Sequence, residues 1–394
     1  MAARIFGLRF SIFYAFLTIG SGMQLPFLPL WLHAKGLTVA QISLVFAGMT
    51  ACRIVAVPIV AVIADRYRNR RSLIILCGFL SFLGYLFLGM ASGFWQIFAI
   101  SFFAALFTAP IMTLAEGFSV DGSAAHGLDY GRLRLWASLS FLLGNLGGGA
   151  LLLHMPITSL IYLVAVAQGL SAIVAFLLPP DPEGGRVHPA VEHLNAYSSV
   201  FKLLVPGAFM VFVMAASLGQ ASHALLYTFG PVHWDGLGYG KLAIGGFWAI
   251  SIAAEVILFG FSNTLVNRFG PVMLIVMGIA GGVVRWIFMA EDFGLGATAV
   301  LQAFHAISFA MVHLGTMHYI RQTVPAGLRN SAQGLYAAIS GGIALSAAMW
   351  LSGLLYGELL GKTYLVMAAI SLAALSFALA LRRISPRILA VANP

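Results

Sequence analysis

Two apolar runs, VAQISLVFAGMTACRIVAVPIVAVIA (Val39–Ala64) and SLIILCGFLSFLGYLFLGMA (Ser72–Ala91), are joined by the short charged connector DRYRNRR (Asp65–Arg71). A helix needs roughly 20 apolar residues to cross a bilayer, so each run is long enough to span one. Extending this reading outward gives spans at about 8–33, 39–64, 72–91, 94–118, 131–154 and 157–178. A second set follows at about 204–229, 240–266, 271–290, 294–320, 329–353 and 362–381. The first run holds Pro26 and Pro29 and reads as a spanning helix, with no cleaved leader before it.

Composition requires the same solvent. The 394 residues are 61% hydrophobic and only 8% charged, whereas a soluble domain is about a quarter charged. A water-soluble fold of this size could not hide so much apolar surface. The longest polar interruption begins at Pro179 and carries Asp181, Glu183, Arg186 and Glu192. It divides the chain into a six-helix bundle at 1–178, a cytoplasmic linker at 179–203, and a second six-helix bundle at 204–394 with a short basic tail. The expected fold is therefore an all-α membrane protein of twelve transmembrane helices in two pseudo-symmetric bundles.

Lysine and arginine placement sets the orientation. With both termini in the cytoplasm, most of the 21 basic residues fall at cytoplasmic segments, among them Arg4, Arg9, Arg66, Arg70, Arg71, Arg132, Arg268 and Arg382. Lys35, Lys241 and Lys362 fall outside, and Arg53 and Arg285 fall within helices. The net charge of +9 is thus a topology signal and no nucleic-acid footprint. The halves also share traces of duplication. Asp65-Arg66-Tyr67-Arg68 has a counterpart in Asn267-Arg268-Phe269-Gly270, and glycine-rich Gly144–Gly149 has one in Gly341, Gly342, Ala344 and Ala347. Small residues allow close, sliding helix contacts, and paired halves are a common plan of secondary transporters.

Three sets of residues carry a family resemblance. Asp65-Arg66-Tyr67-Arg68-Asn69-Arg70-Arg71 resembles the loop signature of the major facilitator superfamily, with Ala61 and Arg68 where that signature usually has glycine. Asp129-Tyr130-Gly131-Arg132-Leu133-Arg134-Leu135-Trp136 resembles an element of the lactose permease-like branch, as does Pro26-Phe27-Leu28-Pro29-Leu30-Trp31-Leu32. The second half continues the likeness through Ala254–Ile257, Val283–Trp286 and Leu301–His305. Within that branch the chain is most similar to the phenylpropionate (3-phenylpropionic acid) permeases. The resemblance implies proton-coupled import of an aromatic carboxylate.

Charged groups inside the membrane are costly and point to function. At ~1.5 Å rise per residue, Glu255 lies about 20 Å from Arg268, Arg285 about 21 Å from Pro271, and His305 about 24 Å from Arg321. Counting alone thus brings three ionisable groups to a similar depth on neighbouring helices. Burial disfavours a charged carboxylate and a nearby arginine favours it, so changes in their spacing could take up and release a proton. The resemblance assigns Arg285 and His305 to a proton-linked network, with Ser308 where the branch has a carboxylate. The alternative is a static ion pair that fixes the helices.

Arg53 lies about 18 Å deep by the same rise. It would suit the carboxylate of an anionic substrate, or else bond to Glu116 or to backbone carbonyls. In the resembling sugar permeases a Glu–Arg pair holds the substrate, which makes Glu116 and Arg134 candidates; Arg134 also reads simply as a cytoplasmic-end charge. Trp136 either stacks on a substrate ring or anchors the interface. Asp65 with Arg66, Arg70 and Arg71 suggests a conformational latch. His223, His313 and His318 read as packing histidines, and with His305 they make no metal set. Cys52 and Cys77 read as small buried hydrophobes.

There is no Walker loop, no His-Glu-x-x-His and no Gly-x-Ser-x-Gly, so the chain is expected to be no enzyme and to need no cofactor beyond a proton gradient. The expectation is a monomeric symporter of the cytoplasmic (inner) membrane, with a small organic anion, a proton and the lipid bilayer as partners. Two rivals remain. One is a proton-coupled sugar or nucleoside symporter using Gln24, Asn145, Gln220 and Asn263. The other is a non-transporting membrane sensor.

Overall fold

A computed structural model describes residues 2–67, 69–180, 207–325 and 328–392, and no strand occurs among them. The chain begins with α1 (Ala2–Ala34), then α2 (Val39–Ala51) and α3 (Arg53–Tyr67), which are separated only by Cys52. It continues through α4 (Arg70–Met90), α5 (Phe94–His126), α6 (Tyr130–Leu151) and α7 (Leu160–Val174). Next come α8 (Gly207–Ala221), α9 (Ala224–Gly236), α10 (Lys241–Gly260), α11 (Ser262–Phe269) and α12 (Pro271–Met289). A π-helical segment, Ala306–Met311, lies between α13 (Leu295–Ala303) and α14 (Val312–Thr323). A second, Ala338–Ala344, lies between α15 (Arg329–Ala337) and α16 (Leu345–Leu359), and α17 (Thr363–Ala392) follows. The expected linker at 179–203 lies outside the described residues except for Pro179 and Pro180.

Among the described residues, ten helical stretches are long and apolar enough to cross a membrane. They do not include α6, and one of them, Ser331–Ile384, is 54 residues long. That stretch is interrupted at Leu360, whose φ of 48° is the one positive value at a non-glycine residue described.

The chain forms two compact units. One comprises Met1–Ala190 with Trp234–Ala249, the other Val191–His233 with Ile250–Pro394. Each has its own core. Phe10, Phe13, Tyr14, Leu114 and Phe118 belong to the first, and Phe212, Val213, Ile275, Ile279 and Tyr319 to the second. Within the first unit, α1 packs closely along α6 through two glycines. A Cβ on Gly144 would lie 3.1 Å from the Gly22 Cα, and a Cβ on Gly22 would run into the Phe141 carbonyl oxygen. α6 starts where it does because the Asp129 carboxylate accepts the Gly131 N–H at 2.8 Å, a side-chain cap for an otherwise unpaired donor. The acidic residue of the Asp-Tyr-Gly-Arg motif is thus a helix cap.

Glycine also positions the second unit's polar cluster. A Cβ on Gly278 would come within 2.6 Å of Val312 Cγ2 and 3.0 Å of the Ile307 carbonyl. Only a bare backbone lets α12 lie this close to the Ala306–Met311 segment, and two turns further along α12 stands Arg285.

Candidate functional site

Arg285 on α12 is fully buried. Its Nη1 donates to His305 Nδ1 at 2.9 Å and to Ser308 Oγ at 3.0 Å, and its Nη2 donates to Gln302 Oε1 at 2.9 Å. Its guanidinium carbon also lies 4.8 Å from the Trp286 ring centre, within cation–π range. The other nitrogen of the His305 ring, Nε2, faces Glu255 Oε1 at 3.1 Å. The three groups brought to one depth by counting therefore meet, in the order Glu255, His305, Arg285.

An arginine can only donate, and this fixes the protons around it. His305 Nδ1 accepts from Arg285, so the neutral ring carries its proton on Nε2 and donates it to Glu255. Ser308 Oγ also accepts from Arg285, so its own proton goes to His223 Nε2, 3.1 Å away. His223 then holds its proton on Nδ1, which faces the Gln220 carbonyl at 3.2 Å. Neutral imidazoles of opposite tautomer thus lie on either side of one guanidinium nitrogen.

Three members of this network were not among the sequence candidates. Gln302 lies one helical turn before His305, a spacing that places both on one face. Ser308, noted only as a departure from the family pattern, accepts directly from Arg285. His223, read as a packing residue, lies between α8 and α9, and nothing in its neighbours' identity marks its depth. The π turn carries Ser308 and follows His305; such turns often occur at functional sites. His305, Phe309 and His313 form a ring column, with interplanar angles of 10° and 2°.

In the first unit, Arg134 Nε donates to Glu116 Oε1 at 3.0 Å, and both side chains are roughly a third exposed. This joins α5 to α6. Ser119 Oγ donates to the Glu116 carbonyl and meets the Tyr14 hydroxyl at 2.7 Å, so α1 is tied to the same place. Trp136 does not join this pair. Two residues along a helix are about 200° apart, and Trp136 shares an exposed apolar face with Leu139 and Leu143. That placement suits lipid contact.

Arg53 is exposed. At about 3.6 residues per turn it lies on the side of Met49, Val57 and Val60. Leu44, Val55, Ile59 and Val62, the exposed apolar stripe of this rod, lie opposite. Among the latch candidates, Arg70 pairs with Asp121 at 2.6 Å, and Arg71 Nη2 donates to the Phe176 carbonyl at 2.7 Å. Arg66 lies over the Tyr67 ring, while the Asp65 side chain lies outside the described residues. The Arg70 and Arg71 contacts are internal to the first unit. Of the polar residues weighed for a neutral solute, Gln24 accepts from Tyr85 and Gln220 donates to the Phe309 carbonyl. Asn145 is buried and Asn263 exposed. No group of three metal-ligating side chains occurs among the described residues, and Cys52 and Cys77 are buried free thiols.

The model of the MFS_1 like family matches residues 7–368. A probable 3-phenylpropionic acid transporter of Escherichia coli (strain K12) is 27% identical over 369 residues, which cover 93% of this chain and 94% of that protein. The maltose permease of Geobacillus stearothermophilus is 23% identical, over 90% of this chain and 87% of its own length. Among solved structures, that of the nucleoside transporter NupG matches with a TM-score of 0.84 at 15% identity, covering 95% of this chain and 98% of that one. At such identity the likeness is one of fold. With a family match along nearly its whole length and transporters as relatives, this multi-pass membrane chain belongs to the MFS_1 like family.

Proposed function

We propose that the chain is a proton-coupled symporter that imports a small organic acid, an aromatic carboxylate such as 3-phenylpropionate, across the cytoplasmic membrane by alternating access. The observation that carries this reading is the buried Glu255–His305–Arg285 network. With Glu255 ionised, the carboxylate balances the guanidinium through the imidazole. A proton on Glu255 removes that balance and leaves Arg285 as a buried uncompensated charge, which is strongly unfavourable. A carboxylate substrate brings the negative charge that offsets that proton, so taking up the two together is favoured over taking up either alone, which is the requirement for symport.

Twelve crossings with both termini cytoplasmic fit this reading. The 54 residues of Ser331–Ile384 would extend about 81 Å as one helix, far more than the ~30 Å hydrocarbon core. Divided at Leu360 they make two crossings, and α6 adds another to the ten apolar stretches. Arg53, turned away from the exposed apolar stripe, and the Glu116–Arg134 pair are the groups assigned to the substrate's carboxylate. The 27% identity to a probable 3-phenylpropionic acid transporter supports the choice of acid.

Uptake into proteoliposomes with an imposed pH gradient tests the reading, using labelled 3-phenylpropionate, cinnamate, a disaccharide and a nucleoside. Uphill accumulation of an aromatic acid, abolished by a protonophore, is the expected result. Accumulation of only the neutral solutes would favour the second reading, a sugar or nucleoside symporter, for which the maltose permease relative is the support. Gradient-independent flux of every probe would overturn proton coupling.

A further inference from the structure

One nitrogen, Arg285 Nη1, uses its two protons on two different branches, His305 Nδ1 at 2.9 Å and Ser308 Oγ at 3.0 Å. The first branch continues to Glu255. The second continues through Ser308 to His223 Nε2 at 3.1 Å and ends at the Gln220 carbonyl. His223 is fully buried, its ring centre 5.1 Å from that of His305 and 4.9 Å from that of Trp286. Both nitrogens of this imidazole are hydrogen-bonded, and neither bond faces a carboxylate.

We propose that His223 is a second proton-holding side chain of this network, reached through Ser308 and opened to protonation by the same movement of Arg285 that exposes His305 Nδ1. The proposal rests on the proton-coupled reading above and extends it from one proton per substrate monoanion to two.

The transfer balances without a further reactant. When Arg285 Nη1 withdraws, water takes its place at Ser308 Oγ. The hydroxyl passes its proton to His223 Nε2 and receives one from that water, which a hydronium equivalent supplies. His223 becomes an imidazolium that donates from Nδ1 to Gln220 and from Nε2 to Ser308. Net charge rises by one, and the return of Arg285 expels the proton by the reverse path. Ser308 relays the proton without keeping it. The charged or titratable groups around His223 are Arg285 on α12, His305 beyond it with Glu255 on α10, His313 on α14, Tyr364 on α17 behind Trp286, and Tyr227 on α9. Of these only Glu255 is a carboxylate, and His305 stands between it and Arg285. A proton on His223 therefore requires Arg285 to move away.

Two protons with one monoanion carry one net positive charge inward, so the membrane potential alone should drive uptake. Proteoliposomes of the full chain, given an inside-negative potential and no pH gradient, should accumulate labelled 3-phenylpropionate. Tenfold accumulation corresponds to about 59 mV for one net charge. His223→Gln and Ser308→Ala should each lower the ratio of potential-driven to pH-gradient-driven uptake at least fivefold, and Ser308→Thr should keep the wild-type ratio. Potential-driven uptake absent from the wild type, or a ratio undiminished in both Ser308→Ala and an exchange-competent His223→Gln, overturns the proposal. If 3-phenylpropionate follows neither gradient, the transport reading itself has failed. Histidine 15N spectra of the full chain in lipid nanodiscs then decide independently. His223 should be neutral with its proton on Nδ1 in the wild type and doubly protonated at pH 5 in Arg285→Met. A neutral His223 in that variant overturns the proposal, and the opposite wild-type tautomer does so equally.

Discussion

Glu255 meets His305 through a 3.1 Å contact between Oε1 and Nε2, while the other nitrogen of that ring is occupied by Arg285. The imidazole therefore carries the influence of one charge to the other. Loss of charge on Glu255 weakens the bond it accepts from His305, and Arg285 is the group left unbalanced.

Replacing Glu255 with Gln tests this directly. Glutamine keeps an oxygen to accept from His305 but cannot gain or lose a proton. In Glu255→Gln, pH-driven accumulation of the transported acid should fall at least tenfold while exchange of internal for external substrate persists. Unchanged uphill accumulation would remove Glu255 from the coupling role.

The contact of α1 with α6 gives a prediction about the fold alone. Gly144→Ala would force a methyl against the Ile19 carbonyl and to 3.1 Å from the Gly22 Cα. Backbone atoms cannot step aside as a side chain can, so overpacking should cost about 1–3 kcal/mol. A lowered thermal unfolding midpoint in detergent is the expected readout. Stability equal to the parent would mean that the two helices separate freely enough to admit the methyl.

How far the site could be read from sequence depended on which residues announce themselves. Glu255, Arg285 and His305 are ionisable groups in apolar runs, so each was conspicuous, and helix rise was enough to bring them to one depth. Rise gives no azimuth, however. It could not tell that His305 stands between the other two. Gln302 and Ser308 were harder to see because uncharged polar residues are common in membrane helices and need only one partner to be tolerated, and His223, ionisable like His305, lies in none of the motifs that carry the family resemblance. The face of Trp136 was legible all along, since residues two apart on a helix point in different directions. The family motif drew it into the same group as Arg134, and helical geometry separates them.

That separation has a measurable consequence. Arg134→Gln should raise KM for the transported acid at least tenfold, while Trp136→Ala changes it less than twofold. Glu116 and Arg134 are partly exposed, and such pairs contribute only about 0.2–1 kcal/mol to stability. A large KM change in Arg134→Gln with little change in thermal midpoint would therefore locate the effect at the substrate. The reverse pattern, stability lost and KM kept, would make the pair a tie between α5 and α6.

Arg53 supplies the sharpest test of substrate class. A guanidinium within a membrane helix is stable only where water, protein or an anion reaches it, and Arg53 lies on the side away from Leu44, Val55, Ile59 and Val62. If it receives a carboxylate, its flat pair of donors matters as much as its charge. Arg53→Lys should then weaken affinity for the acid, and Arg53→Gln should weaken it further, by at least tenfold or about 1.4 kcal/mol. Binding of the isosteric amide of the same acid should be unaffected by either change. Competition of acid and amide against labelled substrate in each variant measures both at once. Equal losses for acid and amide would place Arg53 in the architecture of the site and leave the anion to Arg134.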